Sequence, residues 1–245
     1  MSRRSVRTER RLFLADGPKA VEGALEVPDR VMEVFATVAA AEQHAGLLAG
    51  LPDGRVTLVE SRALDLLSDS VTPAGLVAVV EHLDVPLAGA LAAPLVAICA
   101  DVRDPGNAGT IIRTADAAGA GGVVLAGDSV DAYNPKTVRA SVGSLFHVPV
   151  AVERDPALAV RAAQEAGLTV LAAEGGGEVD LYDADELLAA PTAWLFGNEA
   201  WGLPAGLAEL ADHRVRIPIH GRAESLNLAT AAAVCLYASA RVQRG

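Results

Sequence analysis

From Leu95 onward the chain alternates short, unbroken apolar runs with stretches of helical periodicity, and that alternation restricts the fold more than any other feature. LVAICA at 95–100, GVVLA at 122–126 and TAWLF at 192–196, polar only at Thr192, present apolar residues to both sides of a pleat, so each must be covered on both faces. Helices are expected over 107–118, 135–142, 156–166 and 204–210, and further strands over 147–152, 168–172 and 215–219. Strand, crossover helix and strand in that order give an α/β fold, a mostly parallel sheet with helices on both faces. Ahead of it, strands at 12–15, 31–36, 56–59 and 76–80, with helices at 20–25, 39–48 and 63–67, make a smaller α/β unit. Between the two, residues 82–94, with Pro86, Gly89 and Pro94, have the composition of a linker. The expected organisation is a basic arm over 1–11, a small domain over 12–81, the linker over 82–94 and a larger domain over 95–245.

An apolar content of 51% in 245 residues is ample for such cores. The apolar runs stop well short of the roughly 18 residues that a membrane span needs, and no apolar segment follows the Arg-rich start, so a cytoplasmic location is expected. Cys99 and Cys235 sit in apolar surroundings, as reduced core thiols do. His44, His82, His147, His213 and His220 have no metal-ligand spacing, and no metal site is expected. A net charge of −11 argues against a protein that coats nucleic acid, yet leaves room for a local basic face. Lys19 and Lys136 are the only lysines, so Arg supplies 18 of the 20 basic residues, which suits forked phosphate contacts. Arg3, Arg4, Arg7, Arg10 and Arg11, with Arg55, Arg62 and Arg139, are candidates for that face, although the arm alone also reads as a disordered tail.

In a parallel sheet, ligands bind beyond the carboxyl ends of the strands, and three post-strand loops stand out there. After LVAICA comes DVRDPGNAGTIIRT, with Asn107 expected as helix N-cap and Arg113 six residues into the helix. After TAWLF comes GNEAWGLP, where Gly197 and Gly202 bracket Asn198 and Glu199, and a missing Cβ would let backbone approach a ligand. After RIPI comes HGRAESLN, with Ser225 expected to cap a last helix so uniformly small and apolar that it should be buried within its domain or against a second subunit. Taken singly, Asn107 and Ser225 suit plain helix caps, and Arg113 suits a surface ion pair with Asp116 or Asp104. No glycine fingerprint joins a strand to a helix and no P-loop lysine follows a glycine-rich turn, so a nucleotide site of either kind is not expected.

In order and spacing, NAGTIIRTADAAGA, LFGNEAWGLP and IPIHGRAESLNLATAAAVCLY resemble the three motifs of the SpoU (TrmH) family of RNA ribose 2′-O-methyltransferases, within the SPOUT superfamily. Residues 134–150 resemble the stretch between the first two motifs, and residues 12–80 the small RNA-substrate-binding domain of many members. The resemblance implies a carboxyl-terminal trefoil knot, S-adenosylmethionine as cofactor and a homodimer with the active site near its interface. It implies cofactor contacts from Leu195, Gly197, Ile217, Ile219 and Leu226, and a catalytic group of Asn107, Arg113, Glu199, Ser225 and Asn227. Structured RNA is the implied substrate, 23S ribosomal RNA ahead of tRNA; a catalytically inactive RNA-binding module of the same fold is the other reading.

Overall fold

The computed structural model of the chain describes residues 3–52, 54–68 and 72–245; residues 1–2 of the expected arm, and 53 and 69–71 of the expected small domain, lie outside the described residues. The elements run α1 (Arg4–Arg10), β1 (Leu12–Asp16), α2 (Pro18–Leu25), β2 (Val31–Ala36), α3 (Val38–Gln43), α4 (Ala45–Leu48), β3 (Val56–Leu58), α5 (Ser61–Leu67) and β4 (Leu76–Glu81). Then come α6 (Leu87–Ala90), β5 (Leu95–Ala100), α7 (Pro105–Ala118), β6 (Gly122–Ala126), α8 (Pro135–Ser141), β7 (Val150–Glu153), α9 (Pro156–Glu165), β8 (Thr169–Ala173) and β9 (Val179–Asp180). The last are α10 (Asp185–Leu188), β10 (Thr192–Phe196), α11 (Ala205–Ala208), β11 (His213–Arg216) and α12 (Leu228–Arg244).

The larger sheet has seven strands in the order β7-β6-β5-β10-β8-β11-β9, every neighbouring pair parallel, as the apolar runs require. All six residues of β5 and all five of β10 are buried, because helices cover both faces. One apolar core lies on the face of α7, α8 and α12 and continues without a break into the smaller sheet; the other lies under α6, α9 and α11. The smaller sheet runs β1-β4-β2-β3, antiparallel except for β2 with β3. Gly109 permits a close helix contact: a Cβ there would lie 2.5 Å from the Thr137 carbonyl oxygen, so α7 meets α8 across bare backbone. Cys99 and Cys235 are buried free thiols, and burial pushes Cys99 up to about 12 and Cys235 upward too, so neither is a nucleophile at neutral pH.

Three expectations need correction. The arm is not a loose tail: residues Arg4–Arg10 are helical, and Arg7, 3% exposed, donates from Nε and Nη2 to Asp131 Oδ2 at 2.9 and 2.7 Å. Residues 82–94 do not form an open linker. They hold α6, the Val85 N–H donates to the Val150 carbonyl, and buried His82 stacks on Tyr133 with ring centroids 3.9 Å apart. The strand expected over 215–219 instead spans His213–Arg216, since Pro218 has no N–H for a ladder, and Ile217 and Ile219 beyond it line a cavity. In addition, the basic face is partly spent within the fold, with Arg11 paired to Asp84 and Arg139 to Asp16 as well as Arg7 to Asp131.

Candidate active site

The chain winds outward from β5 through β6 to β7, then returns to the other side of β5 to lay down β8 and β10. Crevices for ligands open at such a switch point, and here the register pairs Cys99 with Phe196, so the loops after β5 and β10 leave side by side. Asn198, 5% exposed, joins them: its Nδ2 donates to the Asp101 carbonyl at 2.7 Å and its Oδ1 accepts from the Ala200 N–H at 2.8 Å. Asn198 and Gly202 exchange two backbone hydrogen bonds that close the loop, with Gly202 at φ +70°. A Cβ on Gly197 would sit 2.3 Å from the Gly202 carbonyl carbon, so both glycines are required by the closure of the loop itself, before any ligand is considered.

A relay of three side chains ties the three loops together. The side-chain Oδ1 of Asn227 accepts from the N–H groups of Ala229 (3.0 Å) and Thr230 (3.2 Å), which fixes that atom as the oxygen. The other end of the amide, Nδ2, then donates to Asn107 Oδ1 at 3.0 Å, and Asn107 Nδ2 donates to Glu199 Oε1 at 3.2 Å. An ionised carboxylate can only accept, so the polarity of the whole relay is settled at both ends. Glu199 Oε1 also accepts from the Asp104 N–H at 2.9 Å, and Oε2 from the Arg103 N–H at 3.1 Å. Burial pushes the Glu199 carboxyl up, but the hydrogen bonds from Asp104, its own N–H, Arg103 and the Asn107 amide prevail, and the group titrates below the ordinary carboxylate range.

Beside the relay lies a cavity of about 310 Å³ whose wall includes Gly197, Glu199, Ile217, Ile219, Ser225 and Leu226, residues of two of the three loops. Its remaining lining includes Glu174, Gly175 and Glu224, and not one Lys, Arg or His. Three carboxylates and no cation make a setting for a ligand of positive charge.

The structure therefore brings Asn107, Glu199 and Asn227 into one hydrogen-bonded group and places Gly197, Glu199, Ile217, Ile219, Ser225 and Leu226 on one cavity. Leu195 lies fully buried in β10, within the second apolar core and not on the cavity wall. Arg113 is outside the group: six residues beyond Asn107, it is turned roughly 240° around α7 and displaced about 9 Å along it, exposed and without a hydrogen bond or ion pair among the described residues. Both expected caps are displaced by a few residues. Asp104 caps α7, accepting from the Asn107 N–H at 2.7 Å, and Asn227 caps α12, while Ser225 stays in the preceding loop. Asn227 is exposed, not buried, and α12 keeps an uncovered side on which Tyr237 is 52% exposed. Sequence reasoning gave no functional place to Asn198 or Glu174; for Asn198 its position inside the glycine bracket was a usable signal.

The SpoU rRNA Methylase family matches residues 94–237. The chain is 35% identical to the 23S rRNA (guanosine(2553)-2′-O)-methyltransferase RlmP of Bacillus subtilis, over 94% of this chain and 89% of that protein. It is 32% identical to the 23S rRNA (guanosine-2′-O-)-methyltransferase RlmB of Pseudomonas syringae pv. tomato, over 92% of this chain and 94% of the other. Among solved structures, the SpoU methyltransferase AviRb from Streptomyces viridochromogenes in complex with the cofactor AdoMet superposes with a TM-score of 0.84 at 32% identity, covering 99% and 94% of the two chains. The AdoMet-bound rRNA methyltransferase from Sinorhizobium meliloti does so with a TM-score of 0.84 at 36% identity, covering 98% and 91%. With its three motif loops gathered at one rim of the sheet, and with relatives matched over nearly their whole length, the chain belongs to the SpoU rRNA methylase family.

Proposed function

We propose that this protein transfers a methyl group from S-adenosylmethionine to a ribose 2′-hydroxyl of structured RNA, with 23S ribosomal RNA as the substrate. The observation that carries the reading is the relay from Glu199 through Asn107 to Asn227, set against a cavity with carboxylates and no basic side chain. The full-length relatives named for 2′-O-methylation of 23S rRNA support the substrate class over tRNA. S-adenosylmethionine, a cation at its sulfonium, suits that cavity, and when bound it supplies an electrophilic methyl group. Gly197, Ile217, Ile219 and Leu226 would hold it, with Leu195 fixing the strand that leads to Gly197.

Within the catalytic group, Asn107 and Asn227 hold the rim of the site in one shape, and Ser225 presents a hydroxyl to the cavity. Glu199 is a poor proton acceptor, since its lone pairs are committed to three donors and its pKa is lowered. A guanidinium is a poor base as well, which leaves Arg113 the task of steadying negative charge on the ribose oxygen. The free, exposed Arg113 and the uncovered side of α12 support a homodimer in which Arg113 of the partner subunit completes each site. The same reading takes residues 12–81 as the RNA-substrate-binding domain, 95–245 as the catalytic domain with a trefoil knot after β11, and the cytoplasm as the location; among the described residues no helix is long and apolar enough to cross a membrane.

The test is transfer of labelled methyl from S-adenosylmethionine to a 23S rRNA transcript, with the product mapped by its resistance to alkaline cleavage. Label on a base, on tRNA alone, or on no RNA at all refutes the reading. Arg113→Ala is expected to cut turnover by roughly 10²- to 10³-fold while leaving donor binding within about twofold. Mixing Arg113→Ala with Ser225→Ala subunits should restore activity if the site is shared, whereas a mixture as inactive as its parts would refute the shared site.

A further inference from the structure

Glu174 follows β8 immediately, where Ala172 pairs with Leu195 of β10 and Ala173 with Val215 of β11. The residue is thus wedged between the two strands whose following loops wall the cavity, and its own N–H donates to the Val215 carbonyl at 3.0 Å. Its side chain lines the cavity, yet Oε2 is buried without a hydrogen-bond partner, and among the described residues the carboxylate has no ion pair. The other polar side chains on the wall differ: Asn198 and Glu199 are committed to the loops, and Glu224 and Ser225 are exposed. Glu174 alone holds a buried acceptor that no protein donor reaches, and such an atom is costly to leave unmet unless a ligand supplies the donor.

The location indicates which donor. Ligands of open parallel sheets bind beyond the carboxyl ends of the strands, and in Rossmann-type dinucleotide sites an acidic residue that follows the glycine loop in the chain accepts from a ribose hydroxyl, which is the chemistry an unmet carboxylate here would suit. Glu174 follows β8, the neighbour of β10, whose loop is Gly197 to Gly202. Resting on the reading of the cavity as a donor site, we infer that the Glu174 carboxylate is a specificity residue that accepts hydrogen bonds from the vicinal ribose hydroxyls of the bound nucleoside. Glu174 thereby discriminates an adenosyl ribonucleoside from its deoxy counterparts, and it does so in the ground state, apart from the methyl transfer itself.

Calorimetric titration of the full chain with S-adenosylhomocysteine, its 2′-deoxy and 3′-deoxy counterparts, and 5′-methylthioadenosine tests this without any turnover. For the wild type, removing a hydroxyl should weaken binding about 10- to 100-fold, the span expected of a hydrogen bond to a charged group. For Glu174→Ala, the intact nucleoside should bind weaker by a similar factor and the deoxy penalty should vanish. Glu174→Gln, of equal size, gives the same comparison if alanine disturbs the loop, and should retain part of the deoxy penalty. A deoxy penalty undiminished in both variants, or wild-type affinity in both, overturns the assignment. Weakened binding of S-adenosylhomocysteine with unchanged binding of 5′-methylthioadenosine would assign the carboxylate to the amino-acid ammonium instead, and overturns it equally. The unliganded melting temperature of Glu174→Ala should equal or exceed that of wild type, since no protein partner is lost; a fall of several degrees would mean a structural role and also defeat the proposal. Failure of the wild type to bind any of these nucleosides would sink the donor-site reading itself, a result distinct from all the others.

Discussion

Replacing Glu199 by Gln tests whether the relay is a mechanical joint between the loops. Three donors converge on the carboxylate: the Arg103 N–H at 3.1 Å, the Asp104 N–H at 2.9 Å and Asn107 Nδ2 at 3.2 Å. A glutamine keeps one acceptor oxygen, which can serve Asp104 and Asn107, but turns an NH₂ group toward the Arg103 N–H, donor against donor. One hydrogen bond is lost and two lose their charge assistance. A hydrogen bond to a charged acceptor is worth roughly 1.5–3 kcal/mol, and because Glu199 and its three bonds are exposed to solvent the total is discounted to about 1–2 kcal/mol. In a chain of this size that lowers the melting temperature by about 2–8 °C. The pH dependence gives an independent sign. The folded-state pKa of Glu199 is depressed, so its contribution is present above the unfolded carboxylate pKa of about 4.3 and is lost as pH falls through the folded value. Urea denaturation of both proteins at pH 7 and at several points below pH 4.5 is the assay, and the gap in stability should narrow toward acid. Equal stability at pH 7, or a gap that persists undiminished to the acid limit of folding, would refute the argument.

Arg7→Met strands Asp131, 12% exposed, with an uncompensated charge where α1 meets the larger domain. Losing one partner of a buried pair costs about 3–5 kcal/mol, so α1 should become open to limited proteolysis; a loss below about 1 kcal/mol would contradict the buried pairing. His147 lies between Asp116 of α7 and Glu26 beside α2, and the Asp116 hydrogen bond, against the opposing effect of burial, raises its pKa above the ordinary value of 6.5. Its contribution is therefore complete below the unfolded pKa and is lost as pH rises through the folded one. His147→Gln should be less stable than wild type at pH 6 by under about 1 kcal/mol, the two converging at higher pH; a gap that widens with pH would reverse the assignment.

The sheet was legible because β5 and β6 are apolar at every position and β10 at all but its first, Thr192, a pattern with few alternatives to a two-sided cover. Cap positions were less so. Asp104 and Asn107 are both capping types, as are Ser225 and Asn227, and in the first case Pro105, which favours the first helical position, was the decisive and overlooked sign. The docking of α1 could not be read locally, for Arg7 meets an aspartate 124 residues away. Nor could the exposure of Arg113, since helix periodicity alone does not say which face a neighbouring subunit or a strand will cover. Glu174 carried no signal at all: one acidic residue before a glycine run looks like a solvated turn until β10 and β11 close around it.

The buried hydrogen bond from Trp194 Nε1 to Ser239 Oγ, 2.8 Å long, runs from a central strand to the last helix, and the same helix begins at the asparagine that completes the relay. During translation every strand of the large sheet emerges from the ribosome before α12 does. A nascent chain that stops short of Asn227 lacks the Ser239 acceptor and the α12 cover for the Trp194 indole, and it has no Asn227 amide to reach Asn107. Hydrophobic cover and site assembly thus arrive together in one late step, so an unfinished polypeptide of this kind holds the sheet but not the pocket rim.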